Sequence, residues 1–209
     1  CPGMGECGKW CYSLKGWRCP GAMLRQLQNT LVQRHRPDLL TASFLSVPSG
    51  MTFRLFVDGD FDSLDTVRFW MGLLRERPDV QAYGYSKSWD LLWDYHVETG
   101  GDWPLNYMLN LSSGGRKQKA TAAMMRSLPI YRGEFIALHI DYRPAGIKGN
   151  IGHKRYKDPL YHAAVRKAAK KAGIEKSFSC PGKCDACTAS GHACGTARFK
   201  GIPVVIGIH

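Results

Sequence analysis

The alternation of strand-like and helix-like stretches constrains the fold of this chain more than any other feature. Five stretches are predicted to be strands, at residues 54–58, 80–85, 107–111, 135–140 and 204–208, and helices are predicted between them, at 62–77, 89–93, 117–127 and 160–172. Strands that alternate with helices form parallel sheets. The predicted fold class is therefore α/β, either a partial (β/α) barrel with parallel strands or an open doubly wound sheet. In both architectures, ligands bind at the carboxyl ends of the strands.

We expect a single domain over residues 1–209 with four parts. An N-terminal cysteine loop (1–21) precedes a β/α core (22–142), a basic segment (143–176) and a C-terminal cysteine segment with the closing strand (177–209). The chain has 44% hydrophobic and 22% charged residues, which is ordinary for a globular protein. No apolar run reaches the roughly 20 residues that cross a bilayer, and no signal peptide is recognisable. We therefore predict a cytoplasmic protein with no membrane association.

The eight cysteines fall into two groups at opposite ends of the chain. Their spacings are Cys1-x5-Cys7-x3-Cys11-x7-Cys19 and Cys180-x3-Cys184-x2-Cys187-x6-Cys194. Disulfide scaffolds distribute cysteines along short secreted chains, and this chain is neither short nor recognisably secreted. Clustered cysteines in a cytosolic protein are more typical of metal ligands, so all eight are candidate ligands.

Three chemistries remain open for these groups: iron–sulfur clusters, zinc ions, and reactive or structural thiols. Structural zinc sites favour two C-x2-C pairs, and only Cys184 and Cys187 have that spacing. Loops that bind iron–sulfur clusters tolerate uneven spacing and often contain Cys-Pro, and proline follows three of these cysteines. The pattern therefore favours one or two [4Fe–4S] clusters over zinc. If Cys19 and Cys194 are fourth ligands the clusters are closed, which suits electron transfer or structure, and otherwise an open iron remains for chemistry.

The net charge of +12 is concentrated in one segment. Ten basic and two acidic residues lie between Arg143 and Lys176, which accounts for eight of the twelve net charges. Such a segment favours polyanions and makes their binding sensitive to salt. The candidate nucleic-acid-binding residues are Lys154, Arg155, Arg166, Lys167, Lys170 and Lys171. The alternative is a basic helix face that is only solvated.

Short polar motifs follow three of the predicted strands. They are Asp58-Gly-Asp60-Phe61, Tyr85-Ser86-Lys87-Ser88 and Asn110-Leu-Ser112-Ser113-Gly114-Gly115. Each by itself fits ordinary turn and helix-cap chemistry, but their recurrence at equivalent positions indicates a common ligand site. The Ser-Ser-Gly-Gly turn that leads into a helix suits a phosphate, a ribose or a carboxylate.

These motifs together resemble a known family. The stretches CPGMGEC, WCYSLKG, DGDF, YSKS, LSSGG and CPGKCDAC, which extend from Cys1 to Cys194, are similar to the phage gene product 88 family. The combination of cysteines with a (β/α) core in turn resembles radical S-adenosylmethionine (AdoMet) enzymes, in which three cysteines hold a [4Fe–4S] cluster whose open iron binds AdoMet. A phage origin would place the protein in the cytoplasm of the host.

The radical AdoMet resemblance implies roles for specific residues. Cys1, Cys7 and Cys11 would hold the cluster beside AdoMet, and the C-terminal cysteines would hold an auxiliary cluster. The residues expected to contact AdoMet are Tyr12, Asp58, Asp60, Ser86, Lys87, Ser112 and Ser113. The usual C-x3-C-x2-C spacing of these enzymes occurs here in the C-terminal group rather than in the N-terminal one.

Two functions from different classes follow from these features. The first is a redox enzyme of the radical AdoMet-like type that acts on an anionic or nucleic-acid substrate. The second is a nucleic-acid-binding or replication-associated protein whose iron–sulfur or zinc sites are structural and which has no catalytic activity. Binding of AdoMet would favour the first, and salt-dependent binding of polynucleotides without turnover would favour the second.

Overall fold

The computed structural model describes residues 1–116, 118–141, 158–182, 184, 187 and 192–208. The helices are α1 (Tyr12–Gly16), α2 (Pro20–His35), α3 (Pro37–Leu45), α4 (Leu64–Glu76), α5 (Trp89–Glu98), α6 (Gln118–Arg126) and α7 (Pro159–Lys171). The strands are β1 (Thr52–Leu55), β2 (Gln81–Ser86), β3 (Tyr107–Ser112), β4 (Tyr131–Leu138), β5 (Phe178–Ser179) and β6 (Val204–Gly207). Short 3-10 helices cover Glu6–Trp10 and Ala197–Phe199.

The six strands form one parallel sheet that curls into a half barrel. Their order is β1-β2-β3-β4-β6-β5, so the first four are neighbours in chain order and β6 lies between β4 and β5. Helices α4, α5 and α6 connect these first four strands, and α7 lies between β4 and β5 in the chain. A doubly wound sheet would instead reverse its winding direction after the first strands. The predicted partial (β/α) barrel is therefore confirmed.

Different parts of the chain cover the two faces of the sheet. Successive strand residues point to opposite faces, and the neighbours Ala82 and Tyr83 of β2 accordingly pack in different clusters. The outer face, with Ala82, packs against α4, α5 and α6, while Val205 of β6 packs against α7. The inner face, with Tyr83, packs against Cys187 and Cys194. The half barrel thus encloses the second cysteine group.

The helix starts follow from local capping chemistry. Ser63 precedes α4, and its Oγ accepts a hydrogen bond from the amide of Thr66 at 3.1 Å. Asp158 precedes α7 in the same way, with its Oδ1 accepting from the amide of Leu160 at 2.9 Å. Both side chains satisfy amides that have no partner within the helix. Cap chemistry of this kind predicts the start of α4 from the sequence.

Several sequence-based predictions were wrong in extent or number. Six strands are present rather than five, because the two-residue strand β5 is too short to produce an alternating pattern. Strand β4 begins at Tyr131, four residues earlier than predicted. Helices α2 and α3 were not predicted. No residue of α2 is buried, although Leu24, Leu27 and Leu31 have helical spacing and are exposed. Within the described ranges, no helix is both long and apolar enough to span a membrane.

Candidate functional site

The N-terminal cysteine loop lies across the carboxyl ends of the strands. The amide of Cys7 donates to the carbonyl of Gly114, just after β3, at 3.0 Å. The ring of Trp10 contacts the ring of His139, just after β4, with 5.7 Å between the centroids. The first cysteine group therefore lies at the sheet edge where ligands bind in this class of fold.

Glycines allow this loop to approach the strand ends closely. A Cβ atom on Gly3 would lie 1.8 Å from the carbonyl oxygen of Lys87, and one on Gly114 would lie 2.8 Å from the Cβ of Cys7. Gly114 also has a φ of 80°, which side chains disfavour. The glycines of the N-terminal loop and of the Ser-Ser-Gly-Gly turn are therefore required by the close contact between these two segments.

Asp60 is the centre of a hydrogen-bond network at this edge. Its two carboxylate oxygens accept from Ser86 Oγ (2.8 Å), the Phe61 amide (2.9 Å), the Lys87 amide (2.6 Å) and the Ser88 amide (3.2 Å). The thiol of Cys1 lies 3.8 Å from Oδ2 of the same carboxylate. Burial raises the pKa of Asp60, while the hydrogen bonds from Lys87 and Ser86 act in the opposite direction. The carboxylate thereby ties the loop after β1 to the start of α5.

The other residues predicted to contact AdoMet lie at the same edge and bond within the protein. Lys87 Nζ donates to Ser112 Oγ at 2.6 Å, and Ser113 Oγ accepts from the amide of Ala137 at 3.0 Å. Asp58 accepts from Ser13 Oγ at 2.6 Å and from Gln26 Nε2 at 2.9 Å. Tyr12 begins α1, and its side chain lies outside the described part of the chain. The fold thus brings the strand-end residues together, and their contact with AdoMet stays a prediction.

The second cysteine group occupies the inner face of the half barrel. Cys187 and Cys194 are buried with Tyr83, and Cys180 packs against them. The amide of Cys180 donates to the carbonyl of Val205 at 2.8 Å, which places this cysteine beside β6. Cys187 and Cys194 are therefore covered by the inner face while Cys184 of the same group is exposed, and the first group lies at the end of the strands.

Hydrogen-bond donors point at the sulfur atoms of the second group. The Tyr83 hydroxyl donates to Cys184 Sγ at 3.4 Å, and the Gly182 amide donates to Cys180 Sγ at the same distance. The Tyr85 hydroxyl bonds to the Cys194 thiol and favours its ionised form. Donors of this kind stabilise thiolates and orient metal ligands.

The four thiols of this group also influence one another electrostatically. Burial, together with the other three cysteines, raises the pKa of Cys180 to about 12, while the hydrogen bond from the Gly182 amide acts to lower it. Burial likewise raises the pKa of Cys194 to about 11, although Tyr85 and Arg132 act to lower it. Cys180, Cys187 and Cys194 pack in one cluster on the inner face, which brings these three residues near one another. Metal ligation requires thiolates, so metal binding at this group would release protons.

A buried cation lies beside the same thiols. The side chain of Arg132 is 1% exposed, and its Nη1 donates to Asn110 Oδ1 at 3.3 Å and to the carbonyl of Ile202 at 2.9 Å. Its Nε and Nη2 are buried with no hydrogen-bond partner among the described residues. Burial lowers the pKa of this guanidinium, while Cys194 and Cys187 are among the groups that oppose this shift. An anionic metal–thiolate group beside Arg132 would satisfy both its charge and its unused donors, so the residues present fit such a group.

The described thiols are not spaced as ligands of a single ion. In the ranges that the structure covers, no group of three or more His, Cys, Asp or Glu residues is arranged to hold a metal ion. All eight cysteines lie in these ranges, and none of them is in a disulfide. Binding of a metal or cluster would therefore require the thiols to move together.

The basic residues of α7 lie on a different surface from both cysteine groups. Arg166, Lys167, Lys170 and Lys171 are exposed, while Tyr161 and other apolar residues on the opposite side of the helix are buried. A helix that connects parallel strands runs antiparallel to them, so its last turn lies toward their amino ends. This basic face is thus directed away from the edge that carries Asp60. Lys154 and Arg155 lie outside the described residues.

Sequence reasoning missed the residues that surround the second cysteine group. Tyr83 and Tyr85 are two positions apart on β2 and so share a face, which the pattern Tyr-Gly-Tyr could have indicated. Arg132 has no partner on β3, because Leu109 pairs with Tyr131 and the next pair joins Asn110 to Gly133. Such a bulge re-aims a side chain, and no sequence pattern predicted it.

Comparison with known proteins identifies a family for this chain. A family model described as gene product 88 matches residues 1–199. Neither a curated protein nor a solved structure matches the chain. The family match covers both cysteine groups and the sheet up to the start of its last strand.

Proposed function

This chain belongs to the gene product 88 family, and from that premise we propose that it is an iron–sulfur protein of the radical AdoMet-like type. One observation carries the proposal. The two cysteine groups have different surroundings. One lies at the carboxyl edge of a half barrel beside a polar network. In the other, Cys187 and Cys194 are buried on the inner face near sulfur-directed donors, and Asn110 connects the backbone of Cys194 to the buried Arg132. An exposed site at that edge suits chemistry on a ligand, and an enclosed site suits electron transfer or structure.

The residues of the N-terminal group have separate roles in this proposal. Cys1, Cys7 and Cys11 would hold a [4Fe–4S] cluster, which together with AdoMet supplies one-electron reduction and radical chemistry. The ammonium of Lys87 and the hydroxyl of Ser112, which bond to each other, are polar groups suited to hold a carboxylate or a ribose. Asp60 positions the loop after β1 and the amides at the start of α5, and acts through that loop.

The C-terminal group would hold a second cluster with all four of its cysteines, Cys180, Cys184, Cys187 and Cys194. Four thiolates leave no iron open for a substrate. The tyrosine hydroxyls of β2 would then orient the ligands and stabilise their negative charge. Zinc bound by the same four thiolates is the other outcome that this ligand set allows.

Iron and acid-labile sulfide analysis, combined with EPR spectroscopy, tests the proposal. The anaerobically purified, dithionite-reduced protein would be measured with and without AdoMet, beside a Cys7→Ser variant that keeps the C-terminal group. We expect two signals, of which one shifts on AdoMet addition and is absent in the variant. A signal that AdoMet leaves unchanged would contradict the radical AdoMet-like type, and a protein that holds zinc but no iron would contradict iron–sulfur chemistry.

Binding of nucleic acid is a second candidate function, and the exposed basic face of α7 is the observation that favours it. Replacing Arg166, Lys167, Lys170 and Lys171 with Gln should weaken binding of single-stranded DNA and reduce the dependence of log K on log salt by about 3. A matched variant with Lys9, Arg18, Arg25 and Lys200 changed to Gln loses the same charge elsewhere on the surface. Equal loss of binding in both variants would show a general charge effect rather than a binding face.

A further inference from the structure

The charge of Arg132 is not paired with an acidic side chain among the residues that the structure describes. A buried guanidinium is ordinarily paired with a carboxylate or fully hydrogen-bonded, because its desolvation is costly. No carboxylate pairs with Arg132 within the described ranges. Two of its nitrogens are buried and have no partner there. A negative charge that the described residues do not provide would therefore stabilise this side chain.

The surroundings of Arg132 identify where that charge would lie. Cys194 and Cys187 are among the groups whose charge acts on the guanidinium. Asn110 connects the two regions, because its Oδ1 accepts from Arg132 and its Nδ2 donates to the carbonyl of Cys194 at 2.8 Å. The side chain of Asn110 is fully buried, so this connection is held in one arrangement.

The backbone is shaped to present this arginine to the inner face. The bulge at Arg132 interrupts the pairing of β3 with β4. The segment that follows the C-terminal cysteines crosses β4 at this bulge, where the Gly201 amide donates to the carbonyl of Arg132 at 2.7 Å. A Cβ on Gly133 would lie 3.3 Å from the carbonyl oxygen of Ile202, so the crossing is close. The segment that follows Cys194 therefore packs directly against the backbone at Arg132.

We propose that Arg132 is the charge-compensating residue of a metal–thiolate centre at Cys180, Cys184, Cys187 and Cys194, to which it donates hydrogen bonds through Nε and Nη2. This inference rests on the proposed function, since it requires a metal centre in the C-terminal group. A fixed positive charge next to a redox centre favours the reduced state, which carries one more negative charge. Arg132 is then a positioning and tuning residue that sets the potential of the centre.

The test uses full-length protein with Cys7→Ser in the background, so that the C-terminal centre is observed alone. Arg132→Gln removes the charge but keeps an amide that can donate toward Asn110 and Ile202. Arg132→Lys keeps the charge as the conservative rescue. Arg126→Met is the matched control, because Arg126 pairs with Glu134 of the same strand β4 through an exposed contact. The readouts are the metal and sulfide content and the reduced fraction at a fixed poised potential.

We expect Arg132→Gln to lower the ratio of reduced to oxidised centre at least tenfold, which equals about 59 mV for a one-electron couple. Arg132→Lys should remain within about threefold of the parent, and Arg126→Met should not change. An unchanged ratio in Arg132→Gln with full metal content would overturn the inference alone. A parent protein whose C-terminal group holds no iron, whether it is empty or binds zinc, would overturn the proposed function, and the inference with it. If Arg132→Gln does not fold, Arg132→Met, which preserves more of the side-chain volume, takes its place in the same comparison.

Discussion

The two cysteine groups of this protein have four thiols each and differ in environment, although Cys7 of the first group is buried and Cys184 of the second is exposed. Cys1 and Cys19 of the first group are exposed, and the thiol of Cys1 lies beside a carboxylate, that of Asp60. Cys187 and Cys194 of the second group are buried, and a guanidinium lies beside them. The difference shows that the spacing of cysteines in the sequence does not determine the environment of their thiols. The sheet decides the environment, because its carboxyl edge is open and its inner face is enclosed.

Replacement of one cysteine in each group should have the largest effect and separates the groups most clearly. Cys194→Ser should remove the C-terminal metal and also lower the free energy of unfolding by about 1–3 kcal/mol, because a hydroxyl is then buried beside an arginine that lacks its anion. Cys7→Ser should remove only the N-terminal metal. Metal analysis and thermal unfolding measure both effects. Full metal content in Cys194→Ser would show that this cysteine is not a ligand.

Asp60→Asn should destabilise the edge that carries the first group. Replacing one carboxylate oxygen by an amide leaves two of its four donors without an acceptor, which costs about 2–4 kcal/mol in the free energy of unfolding. Asp58→Asn is the control, because Asp58 is only half-buried and accepts only side-chain donors. Urea unfolding compares the two variants. Equal losses would mean that Asp60 has no special role at the edge.

Gly114→Ala should disturb the first group without affecting the second. The new Cβ would collide with Cys7, and together with the strained φ this should cost about 1–3 kcal/mol. Gly173 also has a positive φ, but a Cβ there meets nothing within 4 Å, so Gly173→Ala measures the backbone strain alone. The rate of Cys7 modification by a thiol reagent should rise in Gly114→Ala only. The same rate in both variants would contradict the close docking of the loop.

The smallest expected effect is the loss of stability in acid that follows protonation of Asp79, which pairs with Arg77. Arg77 and Ser49 hold the pKa of Asp79 below its usual range, and Arg77 also donates to the carbonyls of Leu45 and Val47 after α3. A lowered carboxyl pKa gives stability that is present above about pH 4 and is lost as the pH falls further. Asp79 is exposed, so the effect is small.

Thermal unfolding between pH 7 and pH 2 measures this dependence. The midpoint of the parent protein should fall below about pH 4, and that of Asp79→Asn should fall less steeply because one of the titrating carboxylates is gone. Identical pH profiles of the unfolding midpoint for the parent and the variant would show that Asp79 does not contribute to the acid sensitivity.

The parts of the fold that depend on local chemistry could be predicted from the sequence. The helix after Ser63 and the strand at Tyr107 were located within one or two residues, because capping and apolar patterning act over a few residues. The strand-end motifs were correctly expected to share one edge, since all parallel strands end there. Strand β5 and helices α2 and α3 were missed, because their patterns are short or weak.

What the sequence alone determined about this protein is the α/β class, the candidate ligand types and the convergence of the strand ends, since each depends on residue identity and spacing. Only the tertiary structure decided that β6 lies between β4 and β5, that the second cysteine group fills the inner face, and that Arg132 lies against it. These contacts join residues far apart in the chain, 84 positions between Asn110 and Cys194 and 101 between Tyr83 and Cys184. They arise from the curvature of the sheet and from a bulge, which no short stretch of sequence specifies.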